Sequence, residues 1–380
     1  MDGLLLRAPE AAGDIVALLA EHAASVDQEA SFPWASIEAL QAEGVLGLTA
    51  RRSDGGQEAG LVEAAALVRE AGRGCASSAL ILAMQLIHVR AAWRGSWPEK
   101  LAARVGRSAV GCGALINALR VEPALGTPAR GGLPATAARR VAQGWSINGR
   151  KIYSTGAPGL SWMIVFARTD EAEPRVGQFL VPARTQGIQI EPTWDQLGLR
   201  GSGSHDVVLD GVVVPEDHAV DLRAPREWAQ PDPDGAAWNG LLIAALYTGV
   251  AEAARDWTAG FLRSRVPSNL GAPLATLPRM QEAMGRIEAR VLTSRRLIES
   301  AAAETDADRP PDPAESGLIK TIAAENAIAS VQACLELAGN HGLSRANPLE
   351  RHLRDVLCAR VHTPQPDAAY TTAGRLILET

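Results

Sequence analysis

The sequence contains very little lysine and has no excess of positive charge. Of its 37 basic residues only Lys100, Lys151 and Lys320 are lysines, and the net charge is −6. Nucleic-acid-binding domains usually carry a basic patch or stripe, which this charge balance disfavours. We therefore expect no nucleic-acid partner.

Cysteine is also scarce, and its spacing follows no pattern. Cys75, Cys112, Cys334 and Cys358 lie far apart and form no CxxC pair, which excludes a sequence-local zinc ribbon or thioredoxin-type site. No spacing of histidine, cysteine and carboxylate indicates a metal, and no GxSxG elbow indicates a serine hydrolase. We expect reduced thiols in a cytoplasmic protein.

Long apolar runs are absent as well. The N-terminal stretch carries acidic residues early and polar residues throughout, which predicts an amphipathic helix and not a secretory signal. The most apolar run, residues 76–89, is interrupted by Gln85 and His88 and is too short to span a bilayer. We therefore expect no membrane span.

The chain has 380 residues, more than one typical domain, and it divides into three zones. Residues 1–108 show apolar positions at three- and four-residue spacing and predict an N-terminal helical domain. Residues 109–225 are short apolar or alternating runs separated by Gly, Pro, Asn and Asp, which predict a central β domain. Residues 236–380 return to long helical periodicity and predict a C-terminal bundle. The fold class predicted is α+β.

Local signals refine this prediction at three points. Pro33 marks a helix start, because proline is tolerated in the first turn. The run 108–117 predicts a first strand. Asn148 and Gly149 predict a hairpin turn, since both tolerate the positive φ that a tight turn needs.

Four segments, in this order, resemble motifs of the acyl-CoA dehydrogenase superfamily. They are ALRVEPALGTP from residue 118, INGRKIYSTGA from residue 147, LGLRGSGSHDVVLDGVVVPEDH from residue 197 and LAGNHGLSRANPLERHLRD from residue 337. The resemblance covers nearly the whole chain. It implies N-terminal helices, a central β-barrel-like domain and a C-terminal four-helix bundle through which a homodimer or homotetramer forms.

The same resemblance implies a flavin, FAD or alternatively FMN. Its ring would lie near Gly126, Thr127, Tyr153, Ser154 and Thr155. Backbone N–H groups and threonine hydroxyls suit the polar edge of the ring, and an aromatic side chain suits its face. Ordinary strand packing and turns are the alternative for these residues.

The adenine and pyrophosphate end of FAD would bind to a neighbouring subunit, at Arg265 and the segment beginning Gly339 and Asn340. Glycine lets the backbone approach phosphate oxygens, and arginine supplies a charged fork. The family's motifs are altered here, since RVPSNLG replaces a shorter arginine segment and His341 lengthens the glycine segment. A simple helix C-cap is the alternative at Gly339.

Dehydrogenases of this superfamily use a carboxylate to remove an α-proton from an acyl thioester. The resemblance places this base at Thr363 or, in a minority of members, at Asn239, and neither residue is a carboxylate. Glu252 follows Asn239 on the same predicted helix but lies more than three turns further along. Ordinary α,β-desaturation is therefore disfavoured.

Histidine is the alternative proton-handling residue, and His362 directly precedes Thr363. A histidine there resembles the reduced-flavin monooxygenases of the dibenzothiophene type, which share this fold. His88, on an apolar helix, is the second catalytic candidate, although a hydrogen-bonded core histidine is the commoner case. We interpret His205 as a turn residue, and His22, His218 and His352 as surface residues.

These observations predict a flavin-dependent oxidoreductase that uses oxygen on a hydrophobic organic substrate, supplied with electrons by a flavin reductase or another electron-transfer partner. One alternative is an acyl-thioester dehydrogenase with an unconventional base. The other is a flavin-binding protein without catalysis.

Overall fold

The computed structural model describes residues 8–124, 133–228, 230 and 232–379, with side chains from residue 15 onward. Helices occupy both ends of the described chain, and a single mixed sheet lies between them in sequence. The α+β class and the order of the three zones are confirmed. The N-terminal helices are α1 (Ala8–Glu29), α2 (Trp34–Ala42), α3 (Leu61–Gly74), α4 (Ala76–Arg94) and α5 (Glu99–Cys112).

Helix α4 is the central element of this first zone. Its apolar residues leave almost no polar face, and most of them are buried in the hydrophobic core. By length and composition it could cross a membrane, but two thirds of its most apolar 18-residue window (67%) are buried inside the protein. That is the pattern of a core helix.

The sheet follows α5 and contains both parallel and antiparallel strands. Its strands are β1 (Leu115–Leu119), β2 (Ala137–Val141), β3 (Gly144–Ser154), β4 (Leu160–Thr169), β5 (Val176–Pro182), β6 (Ile188–Glu191), β7 (His205–Val214) and β8 (Ala219–Arg223). They are hydrogen-bonded in the order β6-β7-β3-β2-β4-β5-β8, and β1 pairs in parallel with β4.

Two local predictions in this region are wrong. Residues 108–112 are the last turn of α5 and not the start of a strand, so the predicted boundary at 108/109 falls inside a helix. Asn148 and Gly149 do not form a turn, since β3 continues through them with a bulge and the hairpin turn precedes Gly144. A Cβ at Gly149 would collide with Thr136, so glycine is needed there for close packing.

The third zone contains three long helices and a shorter C-terminal group. The long helices are α6 (Pro233–Ser264), α7 (Pro278–Asp306) and α8 (Pro313–Ala338), and the short ones are α9 (Asn340–Leu343), α10 (Leu349–Leu357) and α11 (Pro366–Leu378). Aspartates cap α6 and α8, because Asp232 and Asp312 accept hydrogen bonds from first-turn amides. Helix α6 packs against α3, α4, α7 and α8 and therefore connects the N-terminal zone to the bundle.

Candidate functional site

The two sequence positions at which a carboxylate base was sought lie side by side. Asn239 lies in the second turn of α6, and its Nδ2 donates a hydrogen bond to the carbonyl oxygen of Thr363 at 3.2 Å. Thr363 belongs to the turn that joins α10 to α11. Residues 124 positions apart thus meet at one point, and neither of them carries an ionisable side chain.

This turn is held in place by a buried lysine. Lys320 lies on α8 with no exposed surface, and its Nζ donates to the carbonyl oxygens of Ala359, His362 and Pro364 at 2.7, 2.7 and 3.1 Å. Burial lowers the pKa of Lys320 to about 8. Three carbonyl acceptors satisfy the three protons of an ammonium, so the turn and the lysine fix each other.

His362 is half-buried in this turn and faces α6. Its ring centre lies 5.8 Å from that of Tyr247, which is fully buried. Burial lowers the pKa of His362 to about 4, and the positive charge of Lys320 lowers it further. The imidazole is therefore neutral near pH 7, with one nitrogen that donates and one that accepts a hydrogen bond.

His88 lies near the C-terminal part of α4 and is also half-buried. Burial lowers the pKa of His88 to about 3, the Arg120 charge adds to this shift, and a hydrogen bond with Asn117 opposes it. Asn117 in turn donates from Nδ2 to the carbonyl oxygen of Thr155 at 2.9 Å. One asparagine therefore connects His88 to the predicted flavin-binding segment.

Both histidines are only partly open to solvent. Each is partly exposed, yet loss of solvent around it lowers its pKa strongly. A side chain with both properties is reached by water from one side and surrounded by protein on the others. His362 belongs to the turn between α10 and α11, and His88 belongs to α4.

An ion pair and a stacked ring join α4 to α6 and form what we call the Arg90–Asp234 clamp. Arg90, two residues after His88, binds both carboxylate oxygens of Asp234 at 2.6 and 2.8 Å. Its guanidinium carbon also lies 4.4 Å from the ring centre of Trp238, the neighbour of Asn239. The bidentate pair and the stacked ring fix the start of α6 against α4.

The predicted flavin-ring segment presents two of its side chains outward. Tyr153 is 57% exposed with φ of 56°, and its ring lies at 6.2 Å from that of Trp194. Thr155 is half-buried, and its Oγ1 hydrogen-bonds Ser204 Oγ at 2.9 Å. Ser154, between them, is fully buried, so within this chain it offers no exposed surface to the predicted flavin. Gly126 and Thr127 lie outside the described residues.

A buried ion pair lies behind this segment. Lys151 and Glu122 are 2.6 Å apart, and both are almost without exposed surface. Glu122 also accepts hydrogen bonds from the amides of Ala135 and Thr136, and burial lowers the pKa of Lys151 to about 8. Because Lys151 and Glu122 are bonded to each other and Glu122 also to two backbone amides, the pair fixes β3 near Tyr153 and Thr155.

A cleft lies near the C-terminal end of α6. Arg265, Gly339 and His341 line a cleft of about 370 Å³ together with Arg279 and Phe261. Gly339 has φ of 57°, which favours glycine, and an added Cβ would meet nothing within 4 Å. Asn340 directly follows it and opens α9. Two guanidinium groups beside an open glycine segment suit a phosphate-bearing ligand.

The cleft beside Arg265 lies far from the contact between Asn239 and Thr363. Asn239 and Arg265 both belong to or border α6, and the 1.5 Å rise per residue separates them by about 40 Å. The two groups of residues therefore lie near opposite ends of one helix.

Three interpretations of other residues are corrected or refined. His218 and His352 are buried and not on the surface, each 6% exposed, and His218 Nδ1 contacts the Leu180 carbonyl oxygen at 2.6 Å. His205 lies at the start of β7, where its Nδ1 accepts from the Trp194 amide. Glu252 is buried and lies 3.7 Å from Arg69 of α3, away from Asn239.

Sequence reasoning did not identify Asn117, Lys320 or the Arg90–Asp234 clamp. Asn117 is a polar residue inside an apolar strand, a signal that was present in the sequence. Lys320 is one of three lysines and lies on an apolar helix, which was a second signal. The clamp joins residues 144 positions apart and carried no local signal.

Comparison with known proteins gives consistent matches along the chain. Residues 13–93, 121–212 and 241–365 match the N-terminal, middle and C-terminal domains of acyl-CoA dehydrogenase, respectively. YdbM of Bacillus subtilis, a candidate acyl-CoA dehydrogenase, is 34% identical over 95% of this chain and 93% of its own length. The human mitochondrial short-chain specific acyl-CoA dehydrogenase is 29% identical, over 90% of this chain and 81% of its own.

Solved structures with this fold include enzymes with different ligands. KijD3 in complex with FMN and a dTDP-linked amino keto sugar superimposes with a TM-score of 0.85 at 27% identity, over 97% of this chain and 92% of its own. TdsC from Paenibacillus with FMN and indole gives 0.87 at 21%, over 98% and 97%. Butyryl-CoA dehydrogenase from Megasphaera elsdenii gives 0.86 at 21%, over the full length of both chains (100%).

Proposed function

Since the chain belongs to the acyl-CoA dehydrogenase family of flavin-dependent oxidoreductases, we propose that it carries out oxygen-dependent, monooxygenase-type oxidation of an organic substrate. The observation that supports this choice is the contact between Asn239 and Thr363. These two residues occupy both positions of the family's base, and neither can remove an α-proton from a thioester.

The flavin would be held by Tyr153 and Thr155 at its ring and by Arg265 and the Gly339 segment of a neighbouring subunit at its phosphates. The exposed ring of Tyr153, the Thr155 hydroxyl and the arginine-lined cleft are the observations that fit such a ligand. FAD would occupy both sets of residues, the ring set and the phosphate set. FMN, the flavin in the KijD3 and TdsC complexes, is the alternative. A reduced flavin supplies the electrons that O2 accepts.

His362 and His88 would handle protons in the reaction. Their lowered pKa values keep both rings neutral near pH 7, so each ring donates one hydrogen bond and accepts another. Such a ring can orient a polar oxygen and pass a proton between its two nitrogens. The buried side chains of Trp238 and Tyr247 exclude water from the adjoining wall.

A dehydrogenase of acyl thioesters is the second candidate, because the whole-chain identity to YdbM and to the human short-chain enzyme favours it. In that case His362 would replace the carboxylate as the base. The third candidate binds flavin without turnover. The proposal includes a cytoplasmic homodimer or homotetramer served by a separate reductase.

The proposal is tested by reducing the flavin-loaded protein photochemically and mixing it with O2 in a stopped-flow instrument. Indole and indole-2-carboxylate serve as first substrates, the former because TdsC binds it. We expect O2 uptake coupled to an oxidised indole product, and a slower or uncoupled reaction in His362→Gln. Anaerobic bleaching of the oxidised flavin by acyl-CoA would instead establish the dehydrogenase, and neither reaction would indicate the non-catalytic protein.

A further inference from the structure

Arg120 projects from the end of β1 into the space between the sheet and the start of α6. Its guanidinium carbon lies 5.3 Å from the ring centre of Phe166 and 5.9 Å from that of Trp228. Trp228 is itself fixed, because its Nε1 donates to the Val176 carbonyl oxygen. Stacking on two rings orients the guanidinium plane and leaves its N–H edges free to bind a ligand.

The positive charge of Arg120 has no direct counter-ion within the described part of the chain. Asp232 and Asp221 are close enough to act on it electrostatically, but both are engaged elsewhere. Asp232 accepts from the Gly235 amide at the start of α6, and Asp221 pairs with Arg223 at 2.7 Å. Neither carboxylate forms an ion pair with Arg120.

Arg120 also differs from the other arginines in its surroundings. Loss of solvent around the guanidinium lowers the pKa of Arg120, although the side chain is exposed. Arginines whose carboxylate partners raise their pKa include Arg51, Arg150, Arg175, Arg223, Arg255, Arg354 and Arg360. A guanidinium surrounded by protein without a bonded carboxylate gains from binding an anion.

Arg120 is close enough to His88 for its charge to lower the pKa of the His88 ring. His88 is hydrogen-bonded to Asn117, three residues before Arg120. Asn117 contacts Thr155 of the proposed flavin-ring segment. A substrate bound beside His88 would therefore reach Arg120 with one end and the reacting region with the other.

We propose that Arg120 binds an anionic group of the substrate, so that the enzyme acts on organic molecules that carry a carboxylate or a phosphate. Both groups match the planar fork of a guanidinium through two parallel hydrogen bonds. The inference rests on the proposed function only in assigning the surroundings of Arg120 to the substrate. It narrows the substrate class from hydrophobic organic molecules to organic anions with an apolar part.

The test is isothermal titration calorimetry of the flavin-loaded protein with matched ligands. Indole-2-carboxylate and indoxyl phosphate supply the two anions on one scaffold, indole is the neutral ligand, and acetate and inorganic phosphate are the anions alone. The variants are Arg120→Met and Arg120→Lys. Arg104→Met is the control, because Arg104 is an exposed arginine of α5 stacked 5.1 Å from the Trp162 ring centre.

We expect at least one anionic ligand to bind the wild-type protein and Arg104→Met equally, and Arg120→Met at least about tenfold more weakly. Arg120→Lys should lie between them, because lysine keeps the charge without the fork. Indole should not distinguish the variants. A preference for the carboxylate or for the phosphate identifies which anion the substrate carries.

The proposal is overturned if no anion binds the wild-type protein more tightly than Arg120→Met, or if Arg104→Met loses as much affinity. If Arg120→Met does not fold, the anion affinities of Arg120→Lys and Arg104→Lys are compared instead. Equal affinities would then overturn the proposal. The titration needs neither oxygen nor turnover, so its result is independent of the proposed oxidation. His362→Gln should keep anion binding in full, even where it loses activity.

Discussion

Lys320 fixes the backbone on both sides of His362. The lysine accepts no hydrogen bond itself and donates to three carbonyls, one of which belongs to His362. A threonine or asparagine at the neighbouring base positions cannot replace a carboxylate near neutral pH, whereas an imidazole can donate or accept a proton. The chemistry of the site therefore depends on a few side chains in an otherwise conventional fold.

The first prediction concerns His362 itself. His362→Gln should lower turnover at least about tenfold, because proton transfer by a positioned side chain contributes about 10²–10⁴-fold. Flavin affinity and melting temperature should change little, since no described contact of the ring spans two secondary-structure elements other than the Tyr247 packing. The measurement is turnover per folded molecule, with His22→Gln on α1 as the matched control.

A His362→Gln protein that melts several degrees lower but keeps full activity per folded molecule would show that the residue is structural. The catalytic assignment would then move to His88.

The second prediction concerns Thr155. Thr155 is partly exposed and its hydroxyl is hydrogen-bonded to Ser204, so if the hydroxyl also bonds the flavin, Thr155→Ala should weaken flavin binding by about 1 kcal/mol, the net value of one hydrogen bond. Fluorescence titration with FAD and FMN measures this, and Thr293→Ala on the exposed side of α7 is the control. Equal affinity of wild-type protein and Thr155→Ala would remove Thr155 from the binding site.

At the scale of secondary structure, the elements that sequence reasoning found are those with strong periodicity. The long helices α6, α7 and α8 and the apolar strand β4 follow directly from their patterns. Strand β2 carries no strand pattern, because AARRV contains two exposed arginines and forms a strand only through pairing with β3 and β4. The Asn148-Gly149 pair was misread, because tertiary packing and not turn formation requires that glycine.

The candidate site shows the same division between local and distant information. His362, Thr363 and Asn239 were singled out from motif positions, and the structure places Asn239 beside Thr363. Lys320, Asn117 and the Arg90–Asp234 clamp act through contacts between distant segments, which no local pattern encodes. The sequence thus indicates candidate side chains for the chemistry but not the residues that position them.

The third prediction concerns the turn between α10 and α11. Lys320→Met should destabilise the protein by about 2–3 kcal/mol, because three carbonyls lose a charged donor and are left buried. Lys100→Met is the control, since Lys100 is exposed on α5. Chemical denaturation measures the difference. Equal stability of the two variants would show that water replaces the lysine, and that the turn does not need it.

For the whole molecule, the domains are joined by charged contacts as well as by apolar packing. Arg354 of α10 binds Asp27 of α1 through two hydrogen bonds of 2.8 and 2.6 Å and also the Leu197 carbonyl oxygen. Asp355, the next residue, accepts from the Leu199 amide, and burial raises the pKa of Asp355 to about 6. The three zones meet at this junction, so its protonation state affects the stability of the entire fold.

The fourth prediction is a loss of stability in weak acid. Burial lowers the pKa of His352 to about 3 and also lowers those of His88 and His362, so the unfolded chain binds more protons below about pH 6.5. Stability from these groups is present above pH 6.5 and is lost as the pH falls. Asp355 acts in the opposite direction, since its raised pKa favours the folded state between about pH 4 and 6, and Glu252, whose pKa burial also raises, acts in the same direction as Asp355. We expect the three histidines to outweigh these two carboxylates.

Denaturation curves between about pH 8 and 5 measure this effect. His352→Gln should reduce the loss at pH 5.5 by about 1 kcal/mol relative to wild-type protein, because one buried histidine no longer has to be kept neutral. A constant stability over this range in the wild-type protein, or the same slope in both proteins, would contradict the assignment.

The most direct test of the account is whether acyl-CoA thioesters reduce the bound flavin in the absence of oxygen. Flavin-loaded protein is mixed anaerobically with saturated acyl-CoAs of short, medium and long chain, and the visible absorbance of the oxidised flavin is followed. Dithionite added afterwards verifies that the flavin is reducible. Because Asn239 and Thr363 provide no base, we predict that the absorbance stays unchanged with every thioester. Rapid bleaching by any of them would contradict the central claim and identify the protein as a dehydrogenase.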